Sequence, residues 1–298
     1  MNTSIIAAKG VEATAFDATI KAAQLDWEPL ADTIKGGATG IVMPGEKLLY
    51  RSDTRTALGI VGSDYSPSDP REFVRTQFEL AETIKGKVCR VGFIEDRARA
   101  FAFVRFGAEI SIPRGQRKVG DPVQAYIYTS DGWDGCTPRT SRLYVERLRC
   151  ANGMTSRELS ATLWVSHTSR MKERFETRWK NFKEEATRQI DQIRVEFTTL
   201  AQTRMTAEEC KDFLAKLLPG EGTRVENRRS EILNLFSTGT NEGSSRWDAY
   251  NAVTEFNTHT RGYRQTDNTS VETNRFLGVM ERDNISRRAL DLLLTARN

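Results

Sequence analysis

The sequence predicts an α+β protein: a small antiparallel sheet with a crossing helix, followed by a helical C-terminal half. Three observations carry this expectation. Between Lys87 and Cys150, short apolar runs are separated by turn residues at strand spacing. After Asn152-Gly153 the apolar positions recur at steps of three and four residues, which is helical. Between the first strands and that basic run, Asp69, Pro70 and Glu72 together make a helix start. The expected division is a mixed sheet domain over 1–153 and a helical region over 154–298 packed on it.

In chain order, Phe16 to Leu25 reads as a short helix and Lys35-Gly36-Gly37 as a turn. Gly40 to Met43 or Lys47 to Arg51, and Ala57 to Val61, read as strands. From Asp69, the positions Phe73, Phe78, Ala81 and Ile84 mark one helix face that stops before Gly86. Val88 to Ile94 and Arg99 to Phe106 form a hairpin across Glu95-Asp96-Arg97. Ile110 to Ile112, Val123 to Thr129 and Arg142 to Cys150 complete the sheet. In Arg99 to Phe106 the period of two puts Arg99, Phe101, Phe103 and Arg105 on one face, with apolar groups on the other too, so cover on both sides is expected through part of the strand's length. Ser169 to Ala201 reads as one long helix with a near-heptad stripe. Its stretch at Phe175, Trp179 and Phe182 is expected against another helix, of this chain or of a neighbouring subunit. Thr206 and Glu209 form a capping box, and Pro219-Gly220 ends that helix. Helices over Arg228 to Phe236, Arg246 to Asn257 and Val271 to Thr295, the last broken near Asp283, close the chain.

With 38% hydrophobic and 28% charged residues, the composition is that of a globular, slightly polar chain. No apolar run approaches the roughly 18 residues of a membrane span, and no secretory leader is visible. Four scattered cysteines and two histidines argue against a zinc site or a disulfide framework, so a reducing cytoplasm is the expected setting. There is no phosphate-cradling glycine loop and no nucleophile elbow, and no cofactor is expected. His167 reads as a hydrogen-bonded strand end. Glu95-Asp96 and Asp131 with Asp134 have the residue types of magnesium ligands, but turns favour the same residues.

Charge is the informative feature. Residues 87–150 carry twelve basic and seven acidic side chains, a net +5 within a chain of net +4. A basic sheet on a near-neutral body suits a polyanion. The expected contact residues are Arg97, Arg99, Arg105, Arg114, Arg117, Lys118, Arg139, Arg142 and Arg147, with Trp133 as a stacking platform. The same arginines would also suit intersubunit ion pairs.

Several stretches taken together resemble a known family. They are Leu25-Asp26-Trp27, Leu49 to Thr54, Leu58 to Val61 with Tyr65 and Pro67, Arg149 to Met154, Val165 to Thr168, and Trp247 to Glu255. Over nearly the whole chain these resemble the phage/plasmid-like proteins of a domain-of-unknown-function family (nine-three-two). The resemblance implies a mobile genetic element in a bacterial host and no particular activity. The architecture is also similar to the Rad52 and Red-beta type single-strand annealing proteins, by analogy of fold alone. The function expected is therefore ATP-independent, oligomeric single-stranded-DNA binding and annealing. A protein-binding anti-restriction or anti-defence module, and a metal-dependent nuclease, are the alternatives.

Overall fold

A computed structural model describes residues 10–95, 98–113, 120–148, 152–154, 162–238, 240–266, 269–280 and 285–295. The chain begins with β1 (Val11–Glu12) and α1 (Phe16–Ala22). Three strands, β2 (Pro29–Lys35), β3 (Val42–Arg51) and β4 (Ala57–Gly62), form a meander of their own. Next come α2 (Pro70–Thr83) and the main sheet: β5 (Lys87–Ile94), β6 (Arg99–Ile112), β7 (Asp121–Gly132), β8 (Arg139–Arg147), β9 (Asn152–Met154) and β10 (Thr162–Val165). This antiparallel sheet has the order β1-β5-β6-β7-β8-β10, with β9 also on β8. The helical part comprises α3 (Met171–Gln202), α4 (Ala207–Leu217), α5 (Thr223–Phe236), α6 (Arg246–Glu255) with a π-helical turn over Phe256–Thr260, α7 (Val271–Met280) and α8 (Ile285–Thr295).

The α+β architecture thus stands, with local differences: β1, β9 and β10 were not expected, and β10 carries the main sheet past the expected boundary at 153. β2 was not expected: its Leu30 and Ile34 are interrupted by polar residues, because the meander is largely exposed. β3 overlaps both of the stretches expected as alternatives, Gly40 to Met43 and Lys47 to Arg51. Pro44, which has no N–H to give, falls where β2 and β3 shift register between Thr33 and Lys35. β6 joins two expected strands, across a bulge between Phe106 and Ile110 where Gly107 takes a φ of +69°.

Both faces of the main sheet are covered, as the doubly apolar β6 implies. Ala100, Ala102 and Val104 pack with Phe73, Val74 and Leu80 of α2 and with Met171, Phe175, Phe182 and Ala186 of α3. On the opposite face, Phe101, Phe103, Tyr128 and Tyr144 lie under Phe276, Leu277, Val279 and Met280 of α7. The far end of the sheet (Ile110, Ile112, Val123, Ala125 and Val145) joins Ile193, Phe197 and Leu200 of α3 and the helices α4, α5, α6 and α8. The long stripe of α3 is therefore covered within the chain. Phe175 and Phe182, expected against another helix, pack into the sheet core with Trp179 stacked between them at 5.4 and 5.2 Å.

Candidate nucleic-acid interface

Six of the ten expected contact residues are described, and hydrogen bonding separates them into three groups. Trp133, Arg139 and Arg147 are interior, which corrects the expectation for all three. Trp133 is fully buried, donates its indole N–H to the Ser68 carbonyl at 2.8 Å and meets the Trp27 ring at 5.1 Å. The 130–135 turn folds under β4, so tightly that a Cβ on Gly59 would lie 3.0 Å from the Asp134 backbone. The ring faces the core and offers no platform to a base.

Arg139 is held by Asp131, with Nε and Nη2 at 2.8 and 2.7 Å from Oδ2. Its guanidinium is sandwiched between the rings of Phe73 (5.6 Å) and Phe175 (5.4 Å). Asp131 also accepts from Ser68 Oγ at 2.7 Å and has His167 Nε2 at 2.9 Å. Burial by itself pushes the Asp131 carboxyl up, but the Arg139 charge and the His167 and Ser68 hydrogen bonds outweigh it. They hold the group below its ordinary 3.8. This occupancy removes Asp131 from the nuclease reading. Asp134 is likewise engaged, accepting from the Cys136 and Thr137 amides at 2.9 and 2.6 Å and from the Thr137 hydroxyl at 2.7 Å. Asp96 lies outside the described residues. Among the described residues, no three His, Cys, Asp or Glu side chains are grouped to hold a metal ion.

Arg147 and Asp121 form a second pair, both fully buried, at 2.7 and 2.6 Å. Asn241 Oδ1 accepts from Arg147 at 3.0 Å, and the Trp247 indole donates to Asp121 at 2.9 Å. Arg51 follows the same plan, bound twice to Asp53 and lying 5.0 Å from the Trp27 ring centre. In each cluster an arginine joins a strand to aromatic groups from another element. A charge count cannot detect this, but hairpin register could have. Arg139 lies one step beyond the Ser130–Thr140 pair, and Arg147, opposite Val123, is diagonal to Asp121.

Arg99 and Arg142 form the second group: half-buried and paired. Arg99 donates to the Thr137 hydroxyl at 2.6 Å, and Arg142 to the Met280 carbonyl at 3.0 Å. Arg97, Arg114, Arg117 and Lys118 lie outside the described residues.

Arg105 is different. It is exposed, and it stands directly across from Lys87 on the same sheet face. Arg90, opposite Phe103, shares that face, and Cys89 sits between them at the bulge in β5. The three cations bear on the Cys89 thiol. Burial raises its pKa, and the charges of Arg105, Lys87 and Arg90 pull against that rise. Among the described residues, none of the three side chains has an ion-pair or hydrogen-bond partner, although Glu12 faces Arg90 from β1. Tyr126, half-buried, adjoins Arg105 across β7. Lys87 and Arg90 were not singled out from the sequence; cross-strand register is the signal that brings them to Arg105. Like charges placed directly opposite cost stability, so an anion between them would relieve the repulsion.

No curated protein and no solved structure matches the chain. Residues 57–277 run from β4 into α7 and include both fully buried arginine pairs and the basic patch. Over those residues the chain matches the model of the family described as Domain of unknown function (DUF932), and it belongs to that family.

Proposed function

We propose that this chain is a non-catalytic single-stranded nucleic-acid-binding protein whose phosphate contacts are Lys87, Arg90 and Arg105. One observation carries the reading: Arg99, Arg139, Arg142 and Arg147 of the main sheet are paired, while Lys87, Arg90 and Arg105 on two adjacent strands have no partner among the described residues. Annealing and self-assembly on a strand, in the setting of a phage or plasmid, belong to the same proposal. Backbone neutralisation that leaves the pairing edges of the bases free suits ATP-independent annealing.

The test is an anisotropy titration of a labelled oligonucleotide at a series of salt concentrations. Log affinity is expected to fall linearly with log salt, with about 0.7 of slope per phosphate contact. Replacing Lys87, Arg90 and Arg105 together by Glu removes about 2 from that slope and most of the affinity. An unchanged slope in a folded triple variant refutes the assignment.

The protein-binding reading has one observation in its favour. Ile41, Val42, Met43 and Ile60, all at or in the β2–β4 meander, are 46 to 70% exposed. Such a group suits a protein contact. Absence of nucleic-acid binding by the folded wild-type chain would favour it.

A further inference from the structure

We infer that Tyr126 stacks on a nucleobase, so that the patch takes an unpaired nucleotide unit, phosphate and base together, and not a phosphate backbone alone. This rests on the nucleic-acid reading above and adds to it a base-contacting residue and a reason for strand selectivity.

Lys87, Arg105, Tyr126 and Tyr144 form a row across four consecutive strands, through the pairs Lys87–Arg105, Arg105–Tyr126 and Tyr126–Tyr144. Neighbouring strands are about 4.8 Å apart. A phosphate between Lys87 and Arg105 would therefore lie roughly 5 to 10 Å from the Tyr126 ring, within one nucleotide's reach. The row is divided by chemistry, cations on β5 and β6 and aromatics on β7 and β8.

The tyrosine is braced for such a contact. Phe103 meets its ring edge-on, at 6.5 Å and 89°, and Tyr144 supports it at 6.4 Å. Phe101, Phe103, Tyr128 and Tyr144 on this face are buried, while Tyr126 remains partly open. Its hydroxyl has no hydrogen-bond partner among the described residues and is not enclosed, so a ligand can reach that end of the ring. Burial, with Glu146 nearby, raises the phenol pKa, so the ring stays neutral beside an anion. In a duplex the base faces are already stacked on one another. Only an unpaired base can turn its face to the ring.

The experiment compares a labelled oligo-thymidine, an abasic strand of equal length and a duplex, each titrated at several salt concentrations. Wild type is expected to bind oligo-thymidine about tenfold or more tighter than the abasic strand. Tyr126→Leu removes that preference without changing the salt slope, and Tyr126→Phe keeps it. In a chain carrying Cys136→Ser and Cys150→Ser, oligo-thymidine slows alkylation of Cys89. Equal wild-type affinity for the thymidine and abasic strands overturns the inference, as does an undiminished preference in Tyr126→Leu or an unprotected Cys89. If Tyr126→Leu does not fold, the wild-type comparison and the Cys89 footprint still decide. Salt-independent binding, or none to any of the three ligands, defeats the underlying nucleic-acid reading instead.

Discussion

Removing one member of the Asp121–Arg147 pair leaves a fully buried charge without its counterion, together with the Asn241 or Trp247 group that bonded it. Arg147→Ala is therefore expected to cost about 3–5 kcal/mol, read as a lower urea midpoint. Arg147→Met combined with Asp121→Leu recovers most of that loss, because no unpaired charge remains. Equal costs for the single and double variants would contradict this account. Asp131 gives a pH prediction. Its folded pKa lies below its ordinary 3.8, so its contribution to stability is fully present above the unfolded value and is lost as pH falls below about 3.8. Asp131→Asn flattens the acid limb of the stability curve in that window. A wild-type and variant curve running parallel down to the lowest pH would refute it.

At the scale of elements, α6 opens with a capping box in which Ser245 and Asp248 exchange hydrogen bonds. Asp248 also accepts from the amides of Glu242 and Ser244, at 3.1 and 3.2 Å. Ser245→Ala is expected to cost about 1 kcal/mol in a denaturation curve. Helices of this kind were legible: Asp69 with Pro70, Thr206 with Glu209, and the α3 stripe each place an element by local chemistry alone. The register-dependent features were not. Whether an arginine in β8 faces solvent or an aspartate depends on its partner strand, and the residues around it carry no trace of that. The same holds for the patch, where Lys87 meets Arg105 only because β5 bulges at Cys89. Trp133 misled for a related reason: its flanking Asp and Gly residues look like an exposed tip, yet those glycines let the turn fold inward.

The whole molecule is tied together by the same buried arginines. Arg147 and Asp121 belong to the sheet, while Asn241 and Trp247 come from the helical part. Shared core residues such as Val145 and Phe197 lie around them. Unfolding followed by far-UV and near-UV circular dichroism should therefore give coincident transitions; two separated ones would show that the parts melt independently. A bound strand should stabilise the chain by mass action, by about 2.7 kcal/mol at a hundred times Kd, and should leave the Lys87, Arg90 and Arg105 triple variant unmoved. The linkage between sheet and helices also sets a timetable. In sequence, Arg147 precedes Asn241 by 94 residues, and Asp121 precedes Trp247 by 126. At a ribosome adding about 5–20 residues per second, that gap lasts on the order of ten seconds. Throughout it the far end of the nascent sheet lacks its helical cover, and the Asp121–Arg147 pair there lacks its Asn241 and Trp247 partners. The uncovered end of the sheet is thus exposed to mispairing during the chain's own synthesis, before the helical part can close over it.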